Sequence, residues 1–560
     1  MAKKRSVTKK RIVILGGGFG GVYAARQLRR QADPGVEIEL INETNYFVFQ
    51  PLLPEVAGGI IAAADAVTPL RVLLPGVKIR QADIHSVDFS TRTVHVVQGS
   101  KKWLIPVQYD ELVIAVGQVV NLSRLPGMAE HAFTMKNLAD AYRLRNHIID
   151  CLEQADTTDD PAVKERLLNF VVVGAGFSGV ETVGEMEDLV RRSLKYYPNI
   201  RKDEVRFIVI EFGPRILPEL PEELASYAQQ KMERRGIRFL LKTATKGATF
   251  RSVETSDGQI FGTKTVVATI GNGPSPLVLN MGIPLERGKI KTDRYMRVPG
   301  QRHVWALGDA ALIPLKEEGG GQATFAPPTA QFAVREAQHL AHNIYAAWNQ
   351  RPLAPLIYKP KGALASLGAY RGVGLVFGVK ISGIIGWLVW RAFYITMLPG
   401  FMTKVRVCLN WMLDYLLPRN TVQVQQGKEP STHYARYRKG DVVFAPGMFS
   451  DGFYTVLEGK FELVIEDPET GEKTVKCFGP GEHFGERVIF GEGLRTGKTT
   501  AVEDSYVLRV NARDFKQFAS AFKVLDDYFK EYIPKAFPRR KPEAPAEAAA
   551  ASEAQTQQPR

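Results

Sequence analysis

A glycine-rich turn, Gly16-Gly17-Gly18-Phe19-Gly20-Gly21, returns later in the 560-residue chain as Gly174-Ala175-Gly176-Phe177-Ser178-Gly179. Each copy follows a short apolar run (residues 11–15 and 170–173), and residues 22–30 after the first copy read as a helix. In such a strand–turn–helix unit the first glycine permits the tight turn. The second lets the backbone approach a pyrophosphate, and the third allows close helix–strand packing. The free N–H groups at the helix start then face the anion. Gly16, Gly18 and Gly21 are matched at the same spacing by Gly174, Gly176 and Gly179. Two nucleotide-binding units, the second inserted within the first, are the simplest account.

The second strand of each unit should end in a group that binds a ribose. In the second unit, strand 205–210 ends at Glu211, whose carboxylate can accept both ribose hydroxyls and repels a 2′-phosphate, so NADH is expected over NADPH. Arg215, four residues on, would soften that preference. In the first unit, strand 36–41 ends in Asn42-Glu43, and either residue could serve.

The length allows three or four domains. With 73 Lys+Arg against 59 Asp+Glu, the net charge of +14 suits nucleic acid, an anionic membrane surface or an acidic partner. Cys151, Cys408 and Cys477 lie too far apart for a zinc cluster or a dithiol pair, so no metal site is expected and the compartment reads as reducing. The basic start (Lys3, Lys4, Arg5, Lys9, Lys10, Arg11) precedes too short an apolar run for a signal peptide.

Residues 11 to about 420 resemble a type II NADH dehydrogenase, a flavoprotein that passes electrons from NADH to membrane quinone without pumping protons. The resemblance rests on both glycine turns, Phe49-Gln50-Pro51-Leu52-Leu53-Pro54, Tyr109-Asp110-Glu111-Leu112-Val113-Ile114-Ala115-Val116-Gly117, Ala306-Leu307-Gly308-Asp309-Ala310 and Pro327-Pro328-Thr329-Ala330-Gln331. It implies FAD in the first unit, at Gly16, Gly18, Gly21, Asn42 or Glu43, Pro51, Gly117, Asp309 and Ala330, with NADH in the second at Gly174, Gly176, Gly179 and Glu211. Glu181 would reach the contact between nicotinamide and flavin. The family's quinone motif AQxAxQ reads Ala330-Gln331-Phe332-Ala333-Val334-Arg335 here, so Gln331 is kept and Arg335 replaces the second glutamine. A guanidinium can still donate to a quinone oxygen. Residues 12–150 hold no cysteine, so electrons should pass from flavin to acceptor without a thiol relay.

Between residues 371 and 419, Arg371, Lys380, Arg391, Lys404, Arg406 and Arg419 face a single anion, Asp414, beside Trp387, Trp390 and Trp411. The apolar segment 381–390 is half the roughly 20 residues a spanning helix needs. Helices lying in an anionic membrane interface are therefore expected, with a single crossing, or a buried core or dimer contact, as alternatives.

Residues 434–522 show short β-prone runs and glycine turns, indicating a small barrel or jelly roll. They resemble a cyclic-nucleotide-binding domain in Lys439-Gly440-Asp441, Leu457-Glu458-Gly459, Gly479-Pro480-Gly481-Glu482-His483-Phe484-Gly485-Glu486 and Arg495-Thr496. That implies Glu486 on a ribose hydroxyl and Arg495 on the phosphate of cAMP or cGMP.

The expected fold is thus α/β, with two nested Rossmann-type dinucleotide-binding domains, an amphipathic helical anchor and a small C-terminal β-barrel or jelly roll. The segments are 11–168 and 301–370 for FAD, 169–300 for NADH, 371–420 for the anchor, 434–533 for the sensor-like domain and 534–560 for a disordered tail. The expected setting is peripheral, on the cytoplasmic side of the cell membrane, with quinone as acceptor, no nucleic acid and a homodimer. Two rival readings are a soluble NADH reductase of an acidic electron carrier and a ligand sensor with a silent flavin core.

Overall fold

The structure, a computed structural model, describes residues 10–511 apart from 34, 100–102, 316–323, 359, 361, 424–431, 449–451, 467–469 and 486–494. The chain divides into two compact units, residues 1–424 and 425–560.

The first unit opens with β1 (Lys10–Leu15), α1 (Phe19–Gln31), β2 (Val36–Asn42), the short α2 (Leu53–Ala57), β3 (Lys78–Gln81) and β4 (Glu111–Ile114). A second layer set follows: β5 (Ala132–Thr134), α3 (Leu138–Thr157), β6 (Asn169–Val173), α4 (Phe177–Ser193), β7 (Arg206–Ile210), β8 (Ile237–Leu240) and β9 (Thr265–Ala268). The chain then returns through β10 (Val304–Ala306) and α5 (Ala330–Trp348). The first sheet has the order β10-β4-β1-β2-β3 and the second β5-β9-β6-β7-β8, both parallel throughout. Because β10 completes the sheet that β1 began, the second dinucleotide-binding fold, from β5 to β9, is inserted within the first. Parallel strands are covered on both faces, and Ile12, Val13, Ile14 and Leu15 are fully buried, as are Phe170, Val171 and Val172.

Residues 371–382 do not belong to an interfacial helix. β11 (Gly362–Gly368), β12 (Arg371–Val376) and β13 (Val379–Ser382) form an antiparallel sheet. α6 (Gly383–Met397) and α7 (Phe401–Leu416) follow it. Gly372 and Gly386 let β12 and α6 meet backbone to backbone: a Cβ on Gly386 would lie 2.5 Å from the Gly372 carbonyl oxygen.

The second unit holds β14 (Thr432–Tyr437), β15 (Val442–Phe444), β16 (Gly452–Glu458), β17 (Phe461–Glu466), β18 (Lys473–Phe478), β19 (His483–Phe484), β20 (Lys498–Ala501) and β21 (Ser505–Asn511). They form two four-stranded antiparallel sheets, β14-β21-β16-β19 and β15-β20-β17-β18. Aromatic contacts join the two, with Phe461 5.2 Å from Phe484 and Phe444 6.2 Å from Tyr454 between ring centres. The 534–560 tail lies outside the described residues.

Candidate functional site

The two glycine turns have the same geometry. Gly16 and Gly174 sit at φ +100° and +101°, a region that side chains disfavour. Their N–H groups donate to Ile41 and Ile210 carbonyls at 2.9 and 2.8 Å, tying each turn to the neighbouring strand. A Cβ on Gly21 would lie 1.9 Å from the Gly16 oxygen, and one on Gly179 would lie 1.9 Å from that of Gly174. Around Gly18 and Gly176 nothing comes within 4 Å of that position. The outer glycines are thus required by packing, while the middle ones face open space at a helix start, as a bound pyrophosphate requires. Gly117 (φ +66°) is likewise open, so the first cradle fits a dinucleotide.

The ribose ends also correspond. Glu211 accepts from the Ala175 N–H at 2.6 Å and from Gly213 N–H at 2.6 Å. In the first unit it is Asn42 that takes the matching position, accepting from Gly17 N–H at 2.7 Å and donating to the Thr44 carbonyl at 2.9 Å. Glu43 is exposed and lines a cavity of about 670 Å³ with Arg71, Lys78 and Arg80, which runs along β3. Arg215 does not oppose Glu211: its guanidinium donates to the Leu220 and Pro218 carbonyls at 2.7 Å each.

Glu181 is not a solvated acid of the first helical turn. It is buried on α4, and one carboxyl oxygen accepts from Ser366 N–H of β11 at 3.0 Å and Trp390 Nε1 of α6 at 2.9 Å. A parallel pair sits beside it: buried Glu55 of α2 accepts from Trp411 Nε1 of α7 at 2.7 Å, with Arg391 3.8 Å away. Arg391 itself lies over the rings of Trp387 and Trp411 at 4.0 and 4.5 Å. Trp390 and Trp411, expected as interfacial anchors, are therefore buried donors to carboxyls. Sequence reasoning missed Glu55 because nothing local marks it; its partners lie more than 300 residues away.

Burial pushes Glu181 up to about 8, further aided by Glu55, against the opposing pull of the Ser366 and Trp390 hydrogen bonds. A carboxyl raised in the folded state holds a proton that the unfolded chain has released. Its contribution therefore lowers stability as pH rises from the ordinary carboxyl value toward 8. Glu181→Gln, which mimics the protonated acid, should make the variant gain thermal stability relative to the parent across that window. Melting temperatures at pH 5 to 8 that run parallel for both proteins would refute this.

On the acceptor side, α5 starts at the expected place, where Thr329 Oγ1 accepts from Phe332 N–H at 3.4 Å. Gln331 donates to the Gly362 carbonyl at 3.1 Å and accepts from Tyr358 OH at 3.2 Å. Arg335, one turn on, lies 5.6 Å from the same tyrosine ring and donates to Gln338 at 3.0 Å. Gln331 and Glu181 thus grip one strand, β11, at Gly362 and Ser366, about 13 Å apart along an extended chain. Asp309 is half-buried in the turn Gly308–Ala310, and Pro51 is half-buried in a single turn, Gln50–Leu52. Tyr358 and Glu336 were missed from sequence. Glu336 accepts from Gly308 N–H at 2.7 Å and so fixes the Asp309 turn. Burial raises it to about 7. Cys151 is buried against His147 (3.4 Å), and burial pushes its thiol up and the imidazole down to about 4, so neither is poised for thiolate chemistry.

Two of the six basic residues assigned to a membrane face are interior. Arg391 is one; Arg419, whose side chain is 2% exposed, is the other, and it meets Asp414 (3.1 Å), Glu185 (3.4 Å), Asp188 (3.6 Å) and the Gly58 carbonyl (2.9 Å). Lys380 pairs with Glu223 and Arg406 with Asp65. The apolar stripe remains: Ile384, Ile385 and Leu388 on α6, and Met402, Val405, Leu409, Met412 and Leu416 on α7, are all exposed. No helix among the described residues is long and apolar enough to cross a membrane.

In the second unit Arg495 is buried and donates to the Gly485 and Gly452 carbonyls at 3.0 and 2.7 Å, stacked 3.9 Å from the Phe444 ring centre. Thr496 is exposed, and Glu486 lies outside the described residues.

Family comparisons agree with this division. Residues 10–337 match the pyridine nucleotide-disulphide oxidoreductase model, 361–420 the NDH2 C-terminal domain and 434–522 the cyclic nucleotide-binding domain. The type II NADH:quinone oxidoreductase Ndh of Mycobacterium tuberculosis is 31% identical over 428 residues, covering 73% of this chain and 89% of that one. The demethylphylloquinone reductase NdbB of Synechocystis is 31% identical over 413 residues, covering 72% and 96%. Among solved structures, NDH2 from Plasmodium falciparum in complex with NADH aligns with a TM-score of 0.69 at 20% identity, over 74% of this chain and 100% of that one. Matched cradles, buried Glu181 and these relatives together lead to one conclusion: the chain belongs to the pyridine nucleotide-disulphide oxidoreductase family and, within it, to the type II NADH:quinone oxidoreductases.

Proposed function

We propose that this protein holds FAD in the first cradle, oxidises NADH at the second and passes the electrons to membrane quinone. The observation that carries the reading is the pair of matching cradles, each open at its middle glycine, in a chain with no cysteine between residues 12 and 150. Gly16, Gly18, Gly21, Asn42, Pro51, Gly117, Asp309 and Ala330 would hold FAD, with Glu43 at the rim of the adjoining cavity. Bound FAD supplies the two-electron chemistry that side chains lack. Gly174, Gly176 and Gly179 bring the backbone to the NADH pyrophosphate, and Glu211 reads its ribose. With Arg215 committed to two carbonyls, nothing from that residue offsets the repulsion of a 2′-phosphate, so NADH is preferred to NADPH.

Glu181 orients the region where the dinucleotides meet, while Gln331 and Arg335, joined through Tyr358, face the quinone. The exposed stripe on α6 and α7 supports peripheral attachment to a membrane, which this reading assigns to the anionic cytoplasmic face, and the same surface suits a homodimer contact. The match to a cyclic nucleotide-binding domain supports regulation by cAMP or cGMP, although a cyclic phosphate has to compete with two carbonyls for Arg495.

An anaerobic titration with NADH and then a quinone, following flavin absorbance with and without anionic vesicles, tests the reading. Bleaching by NADH, weaker bleaching by NADPH, recovery on adding quinone and co-sedimentation with vesicles are expected. A colourless protein that takes up no flavin overturns it, and failure to sediment at modest salt moves the acceptor to a soluble acidic carrier. Identical turnover with saturating cAMP or cGMP removes the regulatory part.

A further inference from the structure

Phe212 is 81% exposed. Isolated exposed apolar side chains are common, and most need no explanation. Phe212 differs in where it stands and how firmly it is held. The other large apolar side chains above 70% exposed among the described residues, Phe377, Phe401 and Tyr415, lie in the β12–β13 turn or on α7. Phe212 instead follows Glu211 directly, at the carboxyl edge of β7, where open parallel sheets bind their ligands.

The backbone on both sides of it is pinned. The Glu211 carbonyl accepts from Thr243 N–H at 3.0 Å and the Gly213 carbonyl from Lys242 N–H at 2.9 Å. The Glu211 side chain closes back on Gly213 N–H, and a Cβ on Gly213 would come within 3.0 Å of that carboxylate. The loop therefore presents the ring and leaves it little freedom to fold inward. In NADH the adenine is bonded to the ribose that Glu211 would read, which brings the base to the strand edge where Phe212 stands.

We infer that Phe212 is the platform on which the adenine ring of NADH stacks, making it a specificity-determining residue for the adenosine half of the substrate. The inference rests on the second cradle being the NADH site. Base–aromatic stacking is sequence-tolerant and substantial, and Glu211 fixes the ribose so that the ring faces are brought into register.

The test uses the full-length holoenzyme and three probes: NADH, reduced nicotinamide mononucleotide, which lacks the adenosine, and the fluorescent 1,N6-etheno analogue of ADP-ribose. Phe212→Ala should raise KM for NADH by about 5- to 50-fold, with kcat changing far less, because the nicotinamide end is untouched. Phe212→Tyr should restore the parental KM. KM for reduced nicotinamide mononucleotide should be the same in parent and variant. The parent should bind the etheno analogue, read as a rise in fluorescence anisotropy, NADH should displace it, and Phe212→Ala should weaken that binding by a similar factor. Unchanged KM for NADH in Phe212→Ala, or equal losses for both reduced substrates, overturns the assignment. If NADH fails to displace the analogue from the parent, the NADH-site reading falls, and the platform falls with it; that outcome is distinct because it needs no variant.

Discussion

Gly179→Ala should leave a yellow protein that dithionite bleaches and NADH does not. The added methyl would sit 1.9 Å from the Gly174 carbonyl oxygen and 2.9 Å from Thr269 Oγ1. The carbonyl belongs to a turn already fixed at φ +101° and hydrogen-bonded to Ile210, so it cannot withdraw. α4 must lift from β6, and its N-terminal N–H groups move away from the pyrophosphate. A misplacement of about 1 Å at a positioning element costs on the order of 100-fold. Efficiency with NADH should therefore fall by about that factor or more. FAD content serves as the folding control, because the first cradle is a separate copy. Retained flavin with parental NADH kinetics would show that the second turn does not carry the substrate. The same change at Gly21, again 1.9 Å from a carbonyl, should instead remove the flavin.

Arg419→Met should destabilise the first unit by about 3–5 kcal/mol. Arg419 follows α7 and inserts between α2 and α4, donating to carbonyls of Gly58 and Glu185 while facing Asp414, Asp188 and Glu185. Burial pushes Glu185 up to about 8, and Arg419 is the main group opposing that shift. Deleting the cation leaves buried acceptors without a donor, which costs far more than the net worth of a surface pair. Arg145 holds the chain just beyond Arg419 by donating to the Asn420 and Val422 carbonyls, so the loss is not relieved by residues 417–422 swinging out. Flavin release on heating reports the unfolding of this unit. A midpoint within a degree of the parent would refute the role, and Arg419→Lys, which keeps the charge but loses the fork, should fall between.

What could be read from residues alone concerned local backbone chemistry. A turn that needs positive φ at its first glycine and no side chain at its third announces itself within six residues, and the copy at Gly174 confirmed the pattern within the chain. Glu211 was legible because it ends a strand at a fixed place relative to that turn. The choice between Asn42 and Glu43 was not legible, since adjacent residues differ only in which one the chain turns toward the Gly17 N–H. Trp390, Trp411, Arg391 and Arg419 were misplaced for a different reason. Composition says that a segment is apolar and basic, but it does not say which face of a two-faced helix meets the core. That was settled by partners 209 residues away for Trp390 with Glu181, 356 for Trp411 with Glu55 and 361 for Arg419 with Gly58. Arg495 follows the same logic, its fork taken by carbonyls from Gly452 and Gly485. Burial and ion pairing are properties of surfaces brought together by folding. Turn geometry is a property of neighbouring peptides, and so the sequence alone determined the two cradles, whereas only the tertiary structure decided which charges lie inside.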